Sequence, residues 1–176
     1  MTEKFNEKLP YSEIKVDDNI QLRQMNTSEA EDIFYLIDND REYLDKWLPW
    51  VKETKSVNDS LEHINNTINE RIYGIEYGYG IYYDNKIVGR ISLMDIKNKP
   101  EIGYWVTSSM AGKGITTKAV EALSDFCFNT LGIDTLTLKA DPENIGSNKV
   151  AEKSGFSLVN TEQSEEGARN IWILNR

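Results

Sequence analysis

The stretch from Glu101 to Thr117 constrains the fold more than any other part of the chain. Glu101-Ile-Gly-Tyr-Trp-Val106 reads as a strand. Thr107 to Ala111 turns, Gly112-Lys113-Gly114 follows, and Ile115, Ala119, Leu123, Phe126 and Cys127 then mark one face of a helix from about Gly112 to Thr130. Leu136, Leu138 and Ala140 alternate as the next strand. Strand, helix and strand in that order form a crossover, which pairs its two strands in parallel or nearly so. Glycine lets a backbone approach a ligand closely and take positive φ. The first turn of a helix carries unpaired N–H groups and a partial positive charge. Together they suit a diphosphate. On these residues alone, a tight turn with no ligand is an equal reading.

Elsewhere the period of the apolar residues assigns the elements. Ile20 to Met25 alternates as a first strand, and Ser28 with Glu31 has the spacing of a capping box for a helix to about Ile37. A short helix is expected from about Arg41 to Leu48, stopped by Pro49. Leu61, Ile64, Ile68 and Ile72 place a longer one over about Asn58 to Tyr73. The period then falls to two. Ile75 to Tyr83 and Ile87 to Leu93 flank the turn Asp84-Asn85, which predicts a hairpin. A helix near Ser147 to Ser154 ends at Gly155, and Phe156 to Asn160 and Ala168 to Leu174 are the last strands. The fold class is α/β (α+β): a mixed, mostly antiparallel sheet of about seven strands with helices on both faces. No repeat or low-complexity linker divides residues 1–176, so one domain is expected, with residues 1–12 poorly ordered or peripheral.

Composition removes several function classes. With one Cys and one His, the chain has neither an internal disulfide nor a structural zinc cluster, and no calcium-loop pattern is present, so no metal is expected. The net charge of −9 disfavours direct contact with nucleic acid phosphates and favours a cationic partner. Solubility alone explains such a charge as well. No apolar run reaches the ~18 residues of a membrane span, and Met1 to Pro10 has no apolar core of a signal peptide. These readings place the protein in the cytoplasm, away from membranes.

Two other phosphate loops fail on spacing. A Walker A loop needs Ser or Thr after Gly-Lys, and here Gly114 follows Lys113. A dinucleotide fingerprint needs a third glycine where Thr117 stands. The stretch from Glu101-Ile-Gly-Tyr-Trp-Val through Gly112-Lys-Gly-Ile-Thr-Thr-Lys instead resembles the acetyl-CoA-binding motif of the GNAT superfamily of N-acetyltransferases. Asn144-Ile-Gly-Ser147-Asn148-Lys-Val-Ala-Glu-Lys-Ser-Gly155-Phe156 resembles its second cofactor segment. Tyr43-Leu-Asp-Lys-Trp47-Leu-Pro49-Trp50-Val resembles the branch that includes ribosomal-protein-serine acetyltransferases. The resemblance runs from about Ile20 to the C-terminus.

The resemblance implies an enzyme that moves an acetyl group from acetyl-CoA to a primary amine. It assigns coenzyme A to Trp105, Val106, Ala111, Gly112, Lys113, Gly114, Ile115, Thr116, Asn144 and Asn148. The backbone N–H of Trp105 or Val106 would polarise the acetyl carbonyl. Glu101 is the candidate base, Ser147 the candidate partner of the sulfur, and Trp47 and Trp50 border the substrate groove. Each has a plainer reading: a salt-bridged strand glutamate, a first-turn serine, helix-capping asparagines and core aromatics. His63 reads as a surface residue and Cys127 as core. Ser109 and Ala111 stand where the motif has Gln or Arg and Gln. Ala151 stands where many relatives carry a tyrosine acid, so another group must meet the leaving thiolate.

Three functions follow as alternatives: acetylation of a protein N-terminus such as that of a ribosomal protein, acetylation of a polyamine or aminoglycoside, or acyl-CoA binding without transfer. The C-terminal strand around Trp172 is a candidate for pairing with a second subunit as a homodimer.

Overall fold

The computed structural model describes residues 9–176. Its strands are β1 (Glu13–Lys15), β2 (Ile20–Arg23), β3 (Tyr77–Tyr83), β4 (Lys86–Met94), β5 (Glu101–Val106), β6 (Thr135–Ala140), β7 (Ser157–Ser164) and β8 (Gly167–Asn175). Its helices are α1 (Ala30–Asp38), α2 (Arg41–Leu44), α3 (Val57–Ile72), α4 (Ile115–Asn129) and α5 (Ile145–Lys153). The strands form one eight-stranded sheet in the order β1-β2-β3-β4-β5-β6-β8-β7. The strand beyond the expected seven is β1, whose three residues are too few to show a period.

All neighbours pair antiparallel except β5 and β6, the two strands joined by the α4 crossover. Their parallel register holds only at Glu101↔Thr137 and Ile102↔Leu138. From Gly103 to Val106, β5 keeps β4 on one side and has no strand on the other. The sheet therefore splits open along the end of β5, next to the loop that leads into α4.

Apolar side chains alternate off the sheet into two cores. One lies beneath α4 and α5, where Ile91, Leu93, Ile102, Leu123 and Leu136 are buried and Tyr104 and Val106 pack at the edge. Cys127 lies there too, as expected of an apolar helix face. The other gathers Met25, Ile33, Ile37, Leu44, Val51, Ile64 and Trp105 beneath α1, α2 and α3. Successive β5 residues thus serve opposite faces, and Trp105 looks away from Tyr104.

Several local expectations are corrected. Asn26, not Ser28, caps the first helical turn: its side chain accepts from Ser28 N at 2.9 Å, while Glu29 accepts from Asn26 N at 2.7 Å. The capping box sits two residues earlier, and the turn Thr27–Glu29 is a 3₁₀ turn before α1. Pro49 starts a helical turn instead of stopping one. It occupies the first position of the 3₁₀ turn Pro49–Lys52, where its missing N–H costs nothing. Helix α5 begins at Ile145, with Asn144 as its cap and Ser147 already inside the first turn. The Asp84-Asn85 turn is as expected, with φ of 47° and 62°.

Residues 1–8 of the segment expected to be poorly ordered or peripheral lie outside the described residues. The rest of that segment is tied to the sheet. Tyr11 O accepts from Arg71 Nη1 and from Tyr79 Oη, both at 2.8 Å, and Ser12 O accepts from Gln24 N at 2.8 Å. Arg71 is fully buried, so these bonds satisfy a cation that water cannot reach. No described helix is long and apolar enough to cross a membrane.

Candidate active site

The split sheet, the loop before α4 and the first turn of α5 meet in one cleft. The loop follows from its glycines. Gly112 and Gly114 take φ of 75° and 79°, in the left-handed region that other residues enter only with strain. Nothing lies within 4 Å of where a Cβ would stand on either. The amides of residues 112–117 meet no acceptor among the described residues; the first helical bond beyond them is Lys118 N to Gly114 O at 3.1 Å. Gly112, Lys113 and Gly114 are exposed. A run of unpaired donors at a helix start, open to solvent, is an anion cradle that fits the diphosphate of coenzyme A.

A cavity of about 130 Å³ continues from this loop. Trp105, Val106, Ala111, Gly112 and Thr116 form one wall, Asn144, Ser147 and Val150 the opposite one, and Tyr43, Leu44, Trp47 and Leu48 the roof. Inside it, Tyr104 Oη lies 2.9 Å from Ser147 Oγ and donates to Ser147 O at 3.1 Å. Burial pushes the Tyr104 hydroxyl up to about 12, against the opposing pull of the Ser147 hydrogen bond. Tyr104 therefore keeps its proton at neutral pH.

The structure brings together Trp105, Val106, Ala111, Gly112, Thr116, Asn144, Ser147 and Trp47 from the sequence reading. Lys113, Gly114 and Ile115 stand at the loop and helix start, with Ile115 buried in the core. Asn144 Oδ1 accepts from Ser147 N at 3.1 Å, and Asn144 also lines the cleft. Asn148 is engaged inside the protein. It donates to Asp141 O and Asn144 O, both at 2.8 Å, and accepts from Asn170 Nδ2 and Trp172 Nε1.

Glu101 lines none of this cavity. Its carboxylate pairs with Lys139 Nζ at 3.0 Å, and Lys139 in turn lines an adjoining groove with Trp47, Tyr104 and Ser147. Trp50 turns away from the cleft and rests against Trp105 at 5.8 Å between ring centroids. Ala151 is fully buried in the core beneath α5.

Sequence reasoning missed two residues. Tyr104 shares the inward phase of Ile102 and Val106, a signal that was available, but nothing local shows that it meets Ser147. Asp40 clasps the loop from the α1–α2 junction, accepting from Ser108 N and Ser108 Oγ at 2.6 Å each. No local pattern announces a contact between residues so far apart in the chain.

Comparison with known proteins agrees with this geometry. The model of the acetyltransferase (GNAT) domain family matches residues 19–157. The chain is 32% identical over 148 residues to the putative ribosomal N-acetyltransferase YdaF of Bacillus subtilis (strain 168), covering 81% of this chain and 80% of that protein. It is 27% identical over 148 residues to the ribosomal-protein-serine acetyltransferase of Escherichia coli (strain K12), covering 82% and 83%. Among solved structures, the microcin C7 self immunity acetyltransferase MccE, in complex with acetyl-CoA and AMP, superposes with a TM-score of 0.89 at 28% identity over 96% of this chain and 98% of that one. The ribosomal L7/L12 α-N-protein acetyltransferase RimL with coenzyme A shares the fold, with a TM-score of 0.87 at 23% identity over 93% and 97%. A split sheet that opens onto unpaired amides at a helix start is what such a fold offers acetyl-CoA, and this chain belongs to the GNAT acetyltransferase family as an acetyl-CoA-dependent N-acetyltransferase.

Proposed function

We propose that the protein is a single-domain cytoplasmic enzyme that acetylates the N-terminal α-amino group of a protein, with a ribosomal protein as the favoured acceptor. The observation that carries this reading is the cleft, roofed by the Trp47 segment and adjoined by an open groove that shares Trp47, Tyr104 and Ser147. Such a groove accepts an extended chain whose amine points at the split. The named activities of the B. subtilis and E. coli relatives support a ribosomal acceptor. The net charge of −9 favours a basic partner and disfavours direct nucleic acid binding.

Acetyl-CoA supplies an activated thioester; the protein must orient it, receive a neutral amine and stabilise the departing sulfur. The amides of residues 112–117 hold the diphosphate, and Asn144 and the β5 backbone at Trp105 and Val106 align the remainder. An α-amine has a reference pKa of about 7.7–8.0 against about 10.4 for lysine, so it is neutralised at pH 7 at a cost lower by about 3–4 kcal/mol. Glu101 accepts the amine proton through water, with Lys139 holding its carboxylate in place. Ser147 Oγ donates to the sulfur. The Tyr104 proton is committed to Ser147 O, and Tyr104 Oη, 2.9 Å from Ser147 Oγ, holds that hydroxyl at the cleft.

Tyr104 is not itself the acid. Its pKa of about 12 lies well above that of an ordinary thiol, about 8.5, so handing its proton to a thiolate is uphill by about 5 kcal/mol. A retained proton makes it a fixed donor.

A second reading, acetylation of a small amine, is favoured by the 28% identical MccE structure, whose complex contains AMP. One experiment separates the two. N-terminal peptides of ribosomal proteins, spermidine, an aminoglycoside and an aminoacyl nucleotide are incubated with the protein and acetyl-CoA, and products are weighed by mass spectrometry. Acetylated peptides at the highest kcat/KM support the proposal. Transfer to a small amine alone removes it, and no thiol release with any amine would leave only a binding module.

A further inference from the structure

The roof of the cleft is fastened by a carboxylate that does nothing for its own helix. Asp40 stands at the N-cap of α2, yet its side chain makes no capping bond there. An Asp in that position ordinarily accepts from the first N–H groups of the helix it starts. Asp40 directs both oxygens to Ser108 instead: Oδ2 accepts from Ser108 N and Oδ1 from Ser108 Oγ, at 2.6 Å each. Ser108 opens the 3₁₀ turn Ser108–Met110, and Thr107 before it supplies no side-chain cap of its own. Asp40 therefore caps that turn from 68 positions away. A charged acceptor makes both bonds stronger than neutral ones.

Each side of this clasp is braced internally. On the roof side, Arg41 Nη1 donates to Val51 O at 2.6 Å and Nη2 to Thr54 O at 2.8 Å, which joins α2 to the turn Pro49–Lys52. On the loop side, Met110 N and Ala111 N bond to Thr107 O at 3.0 and 3.1 Å, so the turn delivers the chain directly to Gly112. No other hydrogen bond among the described residues joins residues 40–54 to residues 101–117. The remaining contacts are apolar: Trp50 rests on Trp105, and Leu44 and Val51 share its core. Apolar contact has no direction and lets surfaces slide, so the clasp fixes the register between roof and loop.

We infer that Asp40 is a positioning residue that ties the roof to the cofactor loop. Coenzyme A seated on the amides of residues 112–117 then steadies the Tyr43 to Leu48 roof under which the acceptor amine lies. Coupling between two sites is reciprocal, so a steadied roof also tightens the hold on coenzyme A. The inference rests on the assignment of those amides to the diphosphate and of the roof to the acceptor, and it holds for a peptide and a small amine alike.

The test measures coenzyme A affinity by calorimetry and hydrogen exchange at the Val51 amide, which bonds to Leu48 O at 3.1 Å and belongs to a residue outside the cleft lining. In the wild type, saturating coenzyme A should slow Val51 exchange about tenfold, as typical site-to-site couplings allow. Asp40→Ala should cut that slowing to below about twofold and weaken coenzyme A about 5–10-fold. Ser108→Ala removes one of the two bonds from an exposed side chain, leaves the core untouched, and should fall between them. The double variant should lose no more than Asp40→Ala.

No slowing in the wild type, unchanged affinity in Asp40→Ala, or additive losses in the double variant would each overturn the inference. Full Val51 slowing in Asp40→Ala saturated with coenzyme A would overturn it too, leaving Asp40 a brace of the loop alone. Should Asp40→Ala not fold, Ser108→Ala decides: wild-type affinity and wild-type slowing there overturn the clasp. Failure of the cofactor assignment looks different, because coenzyme A affinity would then ignore Gly112→Ala as well.

Discussion

Replacing Gly112 with alanine tests the cofactor loop most directly, because the structure supplies a matched control at Gly132. Both glycines have φ in the left-handed region, 75° and 69°, and neither has an atom within 4 Å of a Cβ position. An alanine therefore meets no steric clash at either site, only backbone strain of about 1–2 kcal/mol. What differs is the hold on the strained residue. Gly132 sits in a turn locked by Leu131 N to Phe126 O and Ile133 N to Cys127 O at 3.0 Å. Alanine there must bear the strain in the folded state, offset by about 0.4–1 kcal/mol from a stiffer unfolded chain.

The net loss at Gly132 is about 0.5–1.5 kcal/mol. At about 2.1 cal/mol/K per residue over 176 residues, the unfolding entropy is about 0.37 kcal/mol/K, so Tm falls by about 1–4 °C. Gly112 is held on one side only: Ala111 N bonds to Thr107 O and Ser108 O, but the amides of Gly112 and Lys113 have no acceptor among the described residues. Its alanine variant relaxes in the free protein and must re-enter the strained geometry to bind. Coenzyme A affinity should drop about 5–30-fold, the equivalent of that 1–2 kcal/mol, while Tm barely moves. Calorimetric titration with coenzyme A and thermal unfolding of both variants measure the two effects. Unchanged affinity in Gly112→Ala, within a factor of two of wild type, would refute the assignment of these amides to the diphosphate.

Three further outcomes are expected. Tyr104→Phe should lower kcat by about 10–100-fold with KM for acetyl-CoA little changed, since a charge-assisted hydrogen bond that Tyr104 orients is worth about 1.5–3 kcal/mol; Ser147→Ala should lose as much, and the double variant little more. Additive losses in that cycle would separate the two hydroxyls. Glu101→Gln should cut turnover at neutral pH and recover toward wild type at alkaline pH, where the amine needs no acceptor for its proton; a parallel pH profile would remove Glu101 as base. Stability should decline at high pH. Burial pushes Cys127 and Tyr104 each up to about 12, while in the unfolded chain these groups release their protons near about 8.5 and 10. Above those values the unfolded state binds fewer protons than the folded one, so the urea midpoint should fall as pH rises from about 9 toward 12. A midpoint constant over that range would refute this burial.

The crossover at the centre of the fold was legible because its signals are local. The period of β5, the glycines at 112 and 114 and the apolar face of α4 each act within a few residues, and backbone sterics enforce them whatever surrounds them. The same holds for the Asp84-Asn85 turn and the core placement of Cys127. Cap choice was less legible, because Asn26 and Ser28, or Asn144 and Ser147, offer similar oxygens within one turn. Packing of the following helix selects between them.

What only tertiary structure decided is the reaction cleft itself. The parallel register of β5 and β6 stops after Ile102, and the first turn of α5 and the Trp47 segment line the opening, which no strand propensity encodes. Tyr104 meets Ser147, and Asp40 meets Ser108, across long stretches of chain. Glu101 is answered by Lys139 from the neighbouring strand. Residue type and local period determine which element forms and which face it buries. Which side chains converge on one point depends on how those elements stack, and that information is distributed over both cores at once.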